Sequence, residues 1–364
     1  MAADTGVWGD VHLVEDLRIG TLDGADETIF GRISYVVAGQ DGTIYVADAQ
    51  LETLRAYDAE GTFLRTIGRK GEGPGEYLQI AGVTMLPNGD LAIYDGQNTR
   101  ITLFRPDGSA VRDFRISHRH STSDMLFHDD DGNLYLRSSD PSQAAPGQIR
   151  EVLLKVSPAG AVIDRIQLPE RGTSGIELIS PEGPQIVHSP GPLWAWSPMG
   201  YVVVGYPQEY VLELRHPSAP AKRMQRSFDP VDVLPEERKQ WEAWGSFFSK
   251  QSIARGQPPR DHPVPVRKTA FKALGVSEDG LIWVQRHVTA TKREVTPRSP
   301  GDERPLTPWR ESPSFDVFDP DGRFLGSVSL PRDTRIAFRR ARQAWGVTTD
   351  DAGEHVVRFR IESR

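Results

Sequence analysis

The run SHRHS at residues 117–121 places His118 and His120 one residue apart. In an extended segment alternate side chains share a face, so the two imidazoles could start a site for one divalent metal ion, and with it a metal-dependent hydrolase or lyase. Two ligands do not complete such a site. His128 comes next, but it precedes the turn Asp129-Asp130-Asp131-Gly132, at the other end of a strand from the pair. That acidic turn lacks the first Asp and the closing Glu of a calcium-binding loop, so its aspartates read as hairpin chemistry. The bland alternative for the histidines is a solvated or hydrogen-bonded pair.

Other chemistry finds less support. The chain has no cysteine, which removes thiolate catalysis, disulfides and Cys-based zinc sites. It has neither a G-x-S-x-G elbow nor an H-E-x-x-H pair. The stretch TIGRKGEGPGEY at residues 66–77 carries four glycines and invites comparison with a phosphate-binding loop. No Gly-Lys-Ser/Thr follows it, and the next segment reads as a strand rather than a helix, so no helix N-terminus faces an anion. It reads as a corner, with Pro74 stiffening the chain.

What positions these residues is a repeat. DGTIYVADAQLETLRAYDAEGTFLRTIG from Asp41 and NGDLAIYDGQNTRITLFRPDGSAVRDFRI from Asn88 align at an offset of 47 residues, matching Gly42 with Gly89, Asp48 with Asp95 and Gly61 with Gly108. Each unit is a turn and an alternating strand, then a polar turn and strand, then a D/E-G turn and strand. The first-turn glycines are Gly42, Gly89, Gly132, Gly200, Gly280 and Gly353. Units of this length and strand count are propeller blades. The expected fold is all-β: a single six-bladed β-propeller of four-stranded antiparallel blades over residues 1–364. Residues 10–19 supply the closing strand of the last blade, which removes an open sheet edge. The inner strands begin RISYVV, LQIAGV, TSDMLF, GPLWAW, FKALGV and RQAWGV.

Two segments interrupt the pattern. Residues 230–262 carry Pro235 ahead of Glu236 and Glu237, and Trp241, Trp244, Phe247 and Phe248 fall mostly on one helical face. This predicts a helix over 235–254, inserted between blades 4 and 5, as a surface cover or as a lid over one end of the channel. Residues 289–309 are rich in proline and mixed in charge, and read as an exposed hairpin extension of blade 5.

The net charge of −7 opposes general nucleic-acid binding. No apolar run approaches the roughly 18 residues of a transmembrane helix. The start MAADTGVWGD shows no signal-peptide pattern as written. Against the acidic whole, Arg332, Arg335, Arg339, Arg340 and Arg342 cluster in PRDTRIAFRRARQAW, read as the crossover into blade 6. With Arg119, Arg267, Lys268 and Lys272 they could give one channel mouth a positive field.

The residues IGRKGEGPGEY, followed by a strand and NGDLAIYDGQNTRITLFRPDG, resemble bacterial six-bladed β-propeller proteins related to NHL-repeat proteins. The resemblance is strongest over residues 31–116, and weaker stretches extend it over most of the chain. It implies the fold and an extracytoplasmic location. More distant relatives include binding scaffolds, lactone hydrolases and an amidating lyase with histidines around the channel, and no histidine stands in the inner-strand starts quoted above. The expectation is a monomeric scaffold binding an anionic small molecule, glycan or peptide through Tyr35, Arg119, His120, Trp194, Lys272 and Arg342, with no cofactor. The alternative is a lactonase-like hydrolase or lyase with one divalent metal ion on His118 and His120.

Overall fold

The computed structural model describes residues 6–116, 126–140, 150–169, 177–180, 183–186, 191–259, 263–295, 300–351 and 353–363. His118, Arg119 and His120 lie outside them. The described chain forms six four-stranded antiparallel sheets, the blades of a propeller. In blade 1 the strands run outward from the axis as Ile33–Ala38, Ile44–Asp48, Thr53–Tyr57 and Phe63–Ile67. The inner strands of blades 2 to 5 are Ile80–Met85, Leu126–His128, Leu193–Ser197 and Phe271–Val276.

Sequence alternation explains why these strands form blades. Ile44, Val46, Leu54 and Ala56 are fully buried, because blades stack face to face and both surfaces of a sheet are covered. The turn between first and second strand holds Gly42, Gly89, Gly132, Gly200 and Gly280 at φ of 76° to 89°, a region that β-carbons disfavour. Asp48 ties the next corner. Its carboxylate accepts from the backbone amides of Gly31, Arg32, Gln50 and Leu51. Asp95, its partner at the 47-residue offset, does the same for Leu78, Gln79, Gln97 and Asn98.

Blade 6 closes the ring as expected but is shifted by one strand from the expected assignment. Its strands run outward as Thr334–Arg340, Gln343–Asp350, Gly353–Ser363 and the N-terminal Val11–Ile19. The last pair runs antiparallel from Val11 opposite Ser363 to Ile19 opposite Val356. RQAWGV therefore belongs to the second strand, Gly353 to the second turn, and the arginine-rich TRIAFRR is the inner strand itself. The physical reason is that its guanidinium groups bond to backbone on the neighbouring blade: Arg335 donates to Ile33 O at 2.7 Å, and Arg340 to Gly39 O at 2.8 Å.

The glycine-rich corner folds on itself. Tyr77 donates to Ile67 O and receives Leu54 N–H. Arg100 donates to the carbonyls of Glu72, Gly73 and Glu76. The Gly73 amide is taken by the Glu76 carboxylate at 2.8 Å. That amide and its hydrogen bond hold Glu76 below the usual carboxylate range, with Arg69 reinforcing them.

The inserted helix spans Pro235–Ala254 and buries Trp241 and Trp244 against Phe247, Phe248 and Val264. The hairpin extension is not simply solvated. Thr291–Lys292 pairs with Trp309–Arg310, and the Trp309 backbone exchanges two hydrogen bonds with the Gln240 side chain of the helix. The two insertions therefore pack on each other. Among the described residues no helix is long and apolar enough to cross a membrane.

Candidate functional site at the turn end of the channel

All inner strands run the same way along the axis, so the channel has a crossover end, where they begin, and a turn end, where they finish. At the turn end five blades contribute to one cavity of about 520 Å³. Gln40 and Asp41 come from blade 1, Met85 to Gly89 from blade 2, His128 and Asp130 from blade 3, Glu278 and Asp279 from blade 5, and Arg340 from blade 6. Tyr45 and Pro106 complete the wall. Its charged groups are four carboxylates against one guanidinium and one imidazole. Arg340 is committed to Ala38 O and Gly39 O, so it offsets little of the negative field.

His128 spans this mouth. It is buried, with Nδ1 3.2 Å from Asp129 O and Nε2 3.1 Å from the Glu278 carboxylate, which joins blade 3 to blade 5. Burial alone would lower its pKa. The hydrogen bond and charge of Glu278, with the Asp129 carbonyl, outweigh burial and raise it above 6.5. Protonation of His128 is therefore favoured by its pairing with Glu278. Trp196 fixes the local backbone by donating to His128 O at 2.9 Å.

The acidic run next to it divides by role. Asp129 turns inward and accepts from Asn133, Tyr135 and Lys155, whereas Asp130 is exposed and lines the cavity. Asp279 has a partly structural duty, accepting from Ser277 Oγ and Ala341 N.

The crossover end is built differently. Lys268 is buried between Glu237 of the helix and Glu311, at 2.8 Å from each, and also donates to Val288 O. Glu311 further binds Lys272 at 2.9 Å and His287 Nδ1 at 2.9 Å. Burial would raise the Glu311 pKa, but Lys272, His287 and Lys268 together hold it well below the usual range. Burial also depresses the His287 pKa despite Glu311. The cluster joins helix, extension and blade 5.

Of the expected ligand-binding residues, the four that are described do not gather at one mouth, and Arg119 and His120 lie outside the described residues. Tyr35, Trp194 and Lys272 stand near the crossover end. There the Tyr35 hydroxyl donates to Ala81 O, Trp194 packs edge-on against Phe127, and Lys272 is held by Glu311. Arg342 lies just past the inner strand of blade 6, at the opposite end, over the Trp8 ring and donating to Ser363. Lys268 is likewise neutralised, so neither lysine contributes an open positive field. Among the described residues no three His, Asp or Glu side chains converge as a metal site would require. The residues missed from sequence are His128, Asp130, Glu278, Asp279 and Asp41. The signal was present: they occupy the same turn in blades 1, 3 and 5, and such turns share one face of a propeller.

The chain is a six-bladed β-propeller, and the comparisons agree. The profile of a family described as "6-bladed beta-propeller" matches residues 13–179. Among solved structures, a Bacteroides fragilis protein named for inferred export aligns at 13% identity and a TM-score of 0.54, covering 100% of this chain and 98% of that one. A member of a family of unknown function from Bacteroides vulgatus aligns at 10% identity and a TM-score of 0.54, covering 98% and 99%. A gluconolactonase from Xanthomonas campestris aligns at 14% identity and a TM-score of 0.45, covering 99% and 93%. No curated protein matches the sequence.

Proposed function

We propose that this protein is a binding scaffold whose working end is the turn-end cavity, and that its ligand presents a cationic group there. The observation that carries this reading is the convergence of five blades on one cavity, with carboxylates of Asp41, Asp130, Glu278 and Asp279 around apolar Met85, Leu86 and Pro87. A cleft lined by one sign of charge concentrates ligands of the other, and apolar walls with a few polar groups suit a small molecule or a peptide side chain. The earlier expectation of an anionic ligand rested on basic residues gathered at one mouth, and the placement of Lys268, Lys272 and Arg342 withdraws that support. An extracytoplasmic location is part of the same proposal, supported by the name of the Bacteroides fragilis relative and by the family resemblance.

Calorimetric titration with spermidine, arginine amide and glucosamine, against succinate as the anionic control, tests the reading. At least one cation should bind more tightly than succinate, and a Glu278→Gln, Asp130→Asn double variant should weaken it about tenfold, the loss of roughly 1.4 kcal/mol of charge interaction. Preference for succinate, or an unchanged affinity in the double variant, would overturn it.

A further inference from the structure

The three arginines on the inner strand of blade 6 end differently. Arg335 and Arg340 donate to backbone carbonyls of blade 1. Arg339 points the other way, toward blade 5, and among the described residues its guanidinium meets no acceptor. Its Nε is buried without a partner. Its Cζ lies 5.7 Å from the Trp283 ring centroid and 6.0 Å from that of Phe315. Its Nη1 rests against Gly275, where any β-carbon would collide with it. Burial draws its pKa down to about 10, and among the described residues no carboxylate offsets that.

Arg339 is partly exposed, but burying its Nε without a partner is costly, and an apolar side chain would cover the same two rings at less cost. Yet this one is held in place: two aromatic rings flank it, and a glycine leaves the room that it fills. A planar fork held in place before its partner arrives is the arrangement that binds oxyanions in bidentate fashion. Gly275 belongs to a strand whose residues from Lys272 to Val276 are all partly exposed, so water reaches this wall of the channel.

We propose that the channel wall between blades 5 and 6 is an oxyanion subsite, with Arg339 as its binding residue and a carboxylate or phosphate group as its ligand. The Arg339 carbonyl accepts from the Glu278 amide at 3.5 Å, and the side chain runs from there to Gly275, three residues before Glu278 and away from the acidic mouth. The subsite does not depend on what the mouth binds.

The test uses the full chain, with thermal melting and tryptophan fluorescence recorded in inorganic phosphate or glutarate, at ionic strength matched with sodium chloride. One of the anions should raise the melting temperature by about 2 °C or more above the chloride control and alter the fluorescence. A response to phosphate alone identifies a phosphorylated ligand, and a response to glutarate a carboxylate. Arg339→Met should abolish the shift while melting at or above the wild-type temperature, because an unpaired buried charge has been removed. Gly275→Ala keeps the charge but displaces the fork, and should at least halve the shift. If Arg339→Met fails to fold, Gly275→Ala alone decides the matter. The proposal is overturned if neither anion exceeds chloride, or if the shift survives intact in either variant.

Discussion

The two ends of the channel carry similar residue types arranged to opposite effect. At the crossover end, Lys268, Glu237 and Glu311 are buried and interleaved with the partly exposed Lys272, so each charge has an opposite partner. At the turn end the carboxylates surround open space and outnumber the cations beside them. Buried charges that join helix to blade must be matched, because an uncompensated one would be expelled or neutralised. Charges facing a cavity can stay unbalanced because water solvates them until a ligand arrives. Matched charge therefore marks the end that holds the insertions in place, and unmatched charge the end proposed to take a ligand.

The sharpest way to break this comparison is Lys268→Met, which leaves two buried carboxylates facing each other. It should cost about 3–5 kcal/mol in urea unfolding; a cost below 1 kcal/mol would mean that the cluster is not structural. Asp95→Ala strips the acceptor from four backbone amides at one blade corner and should cost about 2 kcal/mol or more, read from the same unfolding curves. Glu278→Gln should cost about 1.5 kcal/mol in acid, where it breaks the bridge to His128. The His128 pKa is raised on folding, so the bridge's contribution is complete below 6.5 and fades as pH rises through the higher folded value. The difference between wild type and Glu278→Gln should therefore shrink from pH 5.5 to pH 9, and a growing difference would contradict the assignment. Asp130→Asn, exposed in the cavity, should stay within about 0.5 kcal/mol while altering cation binding.

The blade pattern was legible because glycine turns and Asp48-type corners answer to local backbone geometry. Blade 6 was misassigned by one strand because TRIAFRR reads as a charged connector. Only the three-dimensional ring supplies the carbonyls of Ile33, Ala38 and Gly39 that satisfy two of its arginines. The site was harder to read for the same reason. His128 and Glu278 are 150 residues apart, and each looks like ordinary turn chemistry in its own hairpin. Glu311 shows the converse: set just after a polar, proline-rich extension, it is the buried carboxylate that joins Lys268, Lys272 and His287.

Amide hydrogen exchange with and without saturating spermidine tests the central claim most directly. Protection confined to the turns at residues 39–42, 86–90, 128–133, 277–281 and 340–343 is the predicted result. Protection at the helix and at residues 287–311 instead, or at neither end, would contradict the assignment of the turn end as the binding end.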